Sequence, residues 1–205
     1  MRLSIAQRQS LGKAAQAYAQ NINVAAEYLA NRGLSLQDAA AVGLGVVTDP
    51  LPGHEQFRGR LSIPYITRGG VVDIRFRALG PEEPKYLGLP GAKTHMYNVR
   101  AVLDAEDSIA ICEGEIDAMV LHYKVGIPAI GVPGANAWKK HYRRMLQDFE
   151  TIYIFADGDQ PGQDFARNLA KEMQGVVTLT LPEGEDVNSI YLKHGKEYFL
   201  EKAKA

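Results

Sequence analysis

Two carboxylates stand one residue apart at Asp157-Gly158-Asp159, directly after the apolar, β-rich run Thr151–Ala156. A third, Glu113, follows a shorter apolar run at 109–112 and is itself followed by Gly114 and a helical pattern. Each acid thus lies where a strand ends and a helix begins. In a parallel α/β sheet, sites form at the carboxyl ends of the strands. Carboxylates gathered there repel one another unless a cation holds them. Hard oxygen ligands of this type suit Mg²⁺ or Mn²⁺, which also contact substrate phosphates. Singly, each acid has a plainer reading: a carboxylate at a helix start caps the helix or complements its dipole, and Asp-x-Asp is common in turns. The specific signal is their combination at the ends of separate strands of one unit. Asp117, four residues after Glu113, shares its face if both lie on one helix. Asp186 adds a further carboxylate after another strand.

The elements that must position these acids alternate along the chain. The pattern predicts a strand at 109–112 and a helix at 115–124, then a strand at 128–132 and a helix at 137–148. A strand at 151–156, a helix at 162–174 and a strand at 176–181 follow, and two short helices close the chain after the loop 182–186. Such alternation implies parallel strands joined by right-handed crossovers. The Gly-bearing turn at 131–134 either admits a phosphate or is simply a tight turn. The stretch Trp138-Lys-Lys-His-Tyr-Arg-Arg144 reads as a basic, aromatic helix, either a nucleic-acid face or a solvated one, the second being the simpler reading.

The first hundred residues differ. Residues 1–31 read as helical, with Asn21 and Asn23 as a break and Gly33 placed to end the second helix. Ser35, with Asp38 three residues on, caps a short helix over 37–42. Residues 60–67 and 71–77 read as two strands joined by a Gly-containing turn. Alternation in the second places Val72, Ile74 and Phe76 on one face and Val71, Asp73, Arg75 and Arg77 on the other. Residues 85–87 form another short extended piece. Arg60, Arg75, Arg77, Lys85 and Lys93 therefore lie on or beside a small sheet, where they hold phosphates at fixed spacing or are merely exposed polar faces.

Charge follows the same division. Residues 58–100 carry eight basic and three acidic side chains, whereas 101–205 carry eleven basic and seventeen acidic. A basic segment beside an acidic one fits a polyanion-binding module next to a metal-binding one. The expected organisation is an α/β chain: a helical and basic, mixed α+β subdomain over 1–100, then a parallel-sheet domain over 101–205.

Composition excludes several classes. The chain has 205 residues, 46% apolar and 23% charged, as expected of a soluble globular protein. Cys112 is the only cysteine, so neither an intrachain disulfide nor a cysteine-based zinc site is possible, and its strand position reads as a core thiol. The five histidines form no ligand pair. No apolar run approaches the ~20 residues of a membrane span, and no signal-peptide core is present, so the expected location is cytoplasmic, in a bacterium or a phage-infected host. No Gly-x-x-x-x-Gly-Lys-Ser/Thr loop occurs, which argues against an ATP-driven motor.

A strand, Glu113-Gly114, a Gly-bearing loop and a strand ending in Asp157-x-Asp159 resemble, in that order, the TOPRIM domain of topoisomerases, DnaG-type primases, small nucleases and recombination proteins. The flanks narrow the resemblance to the DnaG-type primase catalytic core. Phe155-Ala-Asp-Gly-Asp-Gln-Pro-Gly162, Leu181-Pro-Glu-Gly-Glu-Asp186 and Pro84-Lys-Tyr-Leu87 resemble three of its signatures. Tyr28-Leu-Ala-Asn-Arg-Gly-Leu-Ser35 and Gly59-Arg-Leu-Ser-Ile-Pro64 resemble its amino-terminal basic subdomain. The likeness spans roughly 24–200.

The resemblance implies a TOPRIM-like fold and a DNA-dependent RNA polymerase that makes short RNA primers on single-stranded DNA from ribonucleoside triphosphates, by two-metal nucleotidyl transfer. It implies Glu113, Asp157 and Asp159 as catalytic acids and metal ligands, with Asp117 and Asp186 assisting, around Mg²⁺ or Mn²⁺ and without zinc. It assigns Arg60, Arg77, Lys85 and, offset by about one residue, Lys93 to template or nucleotide phosphates. Asn188 stands where the family usually has an acid, which weakens one metal subsite. The zinc-binding and helicase-docking modules have no counterpart. That leaves a catalytic core or a minimal, phage-type primase, with a replicative helicase or a separate zinc-binding chain as partner. The rivals are a TOPRIM nuclease and a non-catalytic nucleic-acid-binding scaffold. A topoisomerase is disfavoured because its cleavage tyrosine belongs to a further domain.

Overall fold

The computed structural model describes residues 3–133 and 137–203. They divide into two compact units, the first ending at Lys93 and the second beginning at Thr94. The division falls seven residues before the sequence boundary at 100/101. The cause lies in Tyr97, whose backbone pairs antiparallel with Gly131 and so binds this stretch to the second unit.

The first unit opens with α1 (Ile5–Ala19), started by a Ser4–Gln7 capping box. A 3₁₀ turn over Ile22–Ala25 leads into α2 (Ala26–Ala30), and α3 (Leu36–Ala41) is capped by Ser35 and Asp38 as the sequence suggests. Four antiparallel strands follow in spatial as well as chain order: β1 (Gly45–Val46), β2 (Leu61–Thr67), β3 (Gly70–Arg77) and β4 (Tyr86–Gly88). Tyr18, Phe57, Ile74 and Phe76 fill the core between α1 and this sheet, and the Phe57 and Phe76 rings stack at 3.8 Å. The polar face of β3 is not exposed as its alternation suggests. β3 pairs on both edges, and Asp73 and Arg77 are buried.

The second unit begins with the short α4 (Ala101–Asp104) and carries a fully parallel sheet in the order β6-β5-β7-β8. These strands are β5 (Ser108–Cys112), β6 (Ala129–Gly131), β7 (Thr151–Ala156) and β8 (Val176–Thr180). Central β5 and β7 are nearly continuous apolar runs because both faces are covered. After β5 comes α5 (Glu115–Met119), which widens into a π-type turn over Val120–Val125. The helix expected over 137–148 is only the single turn α6 (Arg143–Leu146). Positions 134–136 of the Gly-bearing turn lie outside the described residues. Helix α7 (Gln160–Ala170) buries Gly162, Phe165, Ala166 and Leu169, one stripe at helical spacing, against the sheet. α8 (Val187–His194) and α9 (Glu197–Lys202) close the chain, and Phe199 of α9 packs edge-on against Phe155 of β7. Among the described residues no helix is long and apolar enough to cross a membrane.

Candidate active site

β5 and β7 are adjacent, so Glu113 and Asp157 emerge side by side at their carboxyl ends. Apolar chain immediately before each acid forces both strands into the core, and the glycine after each releases the chain. Gly158 permits a very close approach. A Cβ there would fall 1.8 Å from the Pro182 carbonyl oxygen, so no other residue fits without moving the 182–186 loop. The Gly158 amide donates to the Glu185 carbonyl (2.8 Å), and the Gly184 amide donates to the Gly158 carbonyl (2.9 Å). The loop carrying Asp186 is thereby laced to the end of β7. Gly162 has a parallel role: a Cβ there would lie 2.8 Å from Glu113 Oε1 and 2.5 Å from the Asp157 carbonyl oxygen.

The five predicted acids fall into two groups. Glu113 Oε1 and Asp157 Oδ1 are buried without a hydrogen-bond partner. An unpartnered carboxylate oxygen out of water is costly, and both side chains register the cost. Burial pushes the Asp157 carboxyl up to about 8, and the negative charges of Asp117, Glu113, Asp186 and Asp159 add to the effect. Glu113 is also raised, by burial and then by Asp159, while the Asp157 backbone N–H opposes the shift. The other acids have partners. Asp159 Oδ1 accepts the Gly162 amide (2.7 Å) as the cap of α7. Asp186 Oδ1 accepts the Ser189 amide (2.6 Å) as the cap of α8. Asp117, buried on α5, accepts the Asn188 amide through Oδ1 (3.1 Å). Glu113 itself precedes α5, with Gly114 as the cap, so it does not share a helix face with Asp117.

Among the described residues, no three His, Cys, Asp or Glu side chains close around one point as a finished metal cage. The donor set nevertheless fits a hard divalent cation. Two unsatisfied carboxylate oxygens face a concentration of negative charge, and Mg²⁺-type ions take one or two protein carboxylates and complete their shell with water and substrate phosphate. Cys112 is not part of this chemistry: it is fully buried, its Sγ lies 3.5 Å from the Ile130 carbonyl oxygen, and burial pushes the thiol well up.

The predicted basic residues of the first unit differ among themselves. Lys85 and Lys93 are exposed. Arg60 is half-buried and donates to the Pro84 carbonyl (2.8 Å). Arg77 is 6% exposed, donates to the Tyr86 hydroxyl, and lies over the rings of Tyr86 (5.1 Å) and Tyr28 (5.6 Å). As placed it is largely enclosed by the sheet and its tyrosines. Arg75, set aside in that assignment, lies 4.4 Å over Tyr86. Sequence reasoning also passed over Glu115, which is 1% exposed. Its only signal was an acid placed between the two acids already chosen.

Residues 110–191 match the Toprim-like family, a span that takes in all five acids. The Gene 57 protein of Mycobacterium phage D29 is 42% identical over 151 residues, covering 71% of this chain and 99% of the phage protein. The DNA primase of Pseudomonas aeruginosa is 27% identical over 190 residues, 84% of this chain and 29% of the primase. The DnaG primase catalytic domain bound to ssDNA superposes with a TM-score of 0.75 at 23% identity, covering 98% of this chain and 80% of that one. The chain belongs to the DnaG-type primase family. It spans only 25% to 38% of the length of the cellular DNA primases it matches. Members of the family use divalent metal, in keeping with the unsatisfied oxygens of Glu113 and Asp157.

Proposed function

We propose that this chain is a primase catalytic core that joins ribonucleotides into short RNA primers on single-stranded DNA. The observation that carries this reading is the pair of unpartnered, buried oxygens on Glu113 and Asp157, set at the ends of adjacent parallel strands in a chain of this family. Mg²⁺ or Mn²⁺ bound there supplies the Lewis acidity that activates a primer 3′-hydroxyl and stabilises the departing pyrophosphate. Glu113 and Asp157 hold the ion through the oxygens that the fold leaves unsatisfied. Asp159 and Asp186 commit one oxygen each to a helix cap and contribute their charge and second oxygen. Asp117, oriented by the Asn188 amide, strengthens the field. No acid need act as a base. Asn188 is itself buried and neutral, so it adds no charge to the subsite.

On the first unit, the exposed Lys85 and Lys93 are the contacts for template or nucleotide phosphates, with Arg60 beside them. Arg77 positions Tyr86 and, through the strand, Lys85. A relative whose structure holds single-stranded DNA supports the choice of template. A replicative helicase or a separate zinc-binding chain is the partner class for initiation.

The test is primer synthesis on single-stranded DNA with four ribonucleotides and either metal, alongside Glu113→Gln and Asp157→Asn. A second arm supplies a pre-annealed primer to bypass initiation. Metal-dependent RNA products that vanish in both variants are expected. Shortened DNA without RNA would replace this reading with a nuclease. DNA binding without any extension, even from the supplied primer, would leave a scaffold.

A further inference from the structure

The second unit is acidic as a whole, yet Lys139, Lys140, Arg143 and Arg144 stand within six residues of it. Lys140, Arg143 and Arg144 are exposed and Lys139 is half-buried. Among the described residues none of the four makes an ion pair, although acids outnumber bases in this unit. Four like charges this close repel one another at low salt and make a concentrated basic patch.

The segment is nonetheless firmly seated. Trp138 Nε1 donates to Glu172 at 2.8 Å, just beyond α7. Tyr142 and Leu146 are buried in the core with Phe165 and Leu169. The indole also lies edge-on to the Tyr142 ring at 5.8 Å. The backbone between these anchors follows their contacts rather than one long helix, which places the cations on a fixed scaffold. Ordering entropy for a polyanion that meets them is correspondingly reduced.

Its position points the same way. The segment follows β6, whose last residue, Gly131, packs so close to Gly114 that a Cβ would lie 2.8 Å from the Gly114 carbonyl oxygen. The chain therefore leaves the sheet at the same carboxyl-end edge as Glu113.

We propose that Lys139, Lys140, Arg143 and Arg144 form a second nucleic-acid contact, on the metal-binding unit itself, which grips the sugar–phosphate backbone of the template or primer strand. It is separate from the basic sheet of the first unit. Recognition is by charge and carries no sequence preference. The inference rests on the primase reading for the identity of the strand, but the binding it describes does not require turnover.

The experiment measures affinity for a labelled single strand and for a primer–template duplex as a function of salt, using the whole chain. Variants are Lys139→Gln/Lys140→Gln, Arg143→Gln/Arg144→Gln, all four together, and the charge-preserving set Lys139→Arg/Lys140→Arg/Arg143→Lys/Arg144→Lys. Near 0.1 M salt, each lost single-strand phosphate contact weakens binding about fivefold, and the salt slope falls by ~0.7 per contact. Each glutamine pair is thus expected to weaken binding tenfold or more on every sequence tested, with the charge-preserving set close to the parent. The double variants keep the test open if the quadruple one melts early. Unchanged affinity and slope in both pairs would overturn the proposal. Glu113→Gln separates the two ideas. It is expected to lose synthesis while keeping the parent's salt slope; synthesis by the parent with an unchanged slope in the glutamine pairs removes only the surface, and a lowered slope in those pairs with no synthesis by the parent removes only the polymerase reading.

Discussion

The two units treat charge in opposite ways. On the antiparallel sheet, a buried cation meets favourable neighbours: Arg77 lies over two tyrosine rings and donates to Tyr86, although its Nε makes no hydrogen bond, and half-buried Arg60 donates to a carbonyl. At the end of the parallel sheet the buried acids do not: Glu113 and Asp157 each keep an unpartnered buried oxygen, and their neighbours are other acids. Removing the partners of a buried charge costs stability, whatever the charge itself contributes. An unsatisfied one stores tension that only a ligand relieves. Burial alone therefore does not mark a functional charge; burial among like charges, as at Asp157, is the sharper sign.

The strongest way to break this comparison is to neutralise the acids. Asp157→Asn is expected to cut primer synthesis at least a hundredfold while raising the melting temperature of metal-free protein by about 2–4 °C, the response to ~1 kcal/mol in a chain of this size. A melting temperature that fell would show Asp157 to be structural. Next comes Arg77→Ala, which strips a buried cation from its aromatic faces and should cost about 3 kcal/mol by denaturant titration. Lys85→Ala, by contrast, should leave stability within ~0.5 kcal/mol and reduce synthesis. Equal stability losses in the two variants would erase the distinction between support and contact.

A third effect is graded in pH. An acid whose folded value lies above its unfolded one is favoured neutral by folding. Asp157 then costs nothing below about 4, where both states are protonated. As pH rises from its ordinary 3.8 to about 8, the unfolded chain ionises while the folded one resists, so the metal-free protein loses stability across that window. Solvent at this half-buried group screens part of the loss. Thermal melts in chelator should fall by several degrees between pH 5 and pH 8 at the site's expense. Metal should restore them most at the upper end, where binding displaces the fewest protons. A flat profile in Asp157→Asn would assign the slope to this residue. The smallest effect sharpens the capping role: Asp186→Ser retains a good cap, so stability should move by less than ~0.5 kcal/mol while metal affinity, read by titration, weakens.

Much of the parallel unit was legible because its strands are unbroken apolar runs and its acids follow them directly. β5, β7 and β8 fall within a residue of their expected bounds. α7 begins two residues early because Asp159 caps it and Pro161 suits its first turn. What was not legible has one cause. The helix over 137–148 shrank to a single turn because Trp138 and Tyr142 are held by partners on and beyond α7, which periodicity cannot register. The enclosure of Arg77 was not legible either, because the tyrosines around it come from residues 28 and 86. Contacts between distant stretches decide whether a charged side chain is presented or enclosed.

The two backbone hydrogen bonds between Gly158 and the 182–186 loop make the ends of β7 and β8 one block. If the acids bind an ion as proposed, it would find a seat already assembled. Its capture rate should follow the shedding of its own hydration water rather than any rearrangement of the chain. The amides of Gly158 and Gly184 should then exchange with deuterium as slowly before the ion arrives as after.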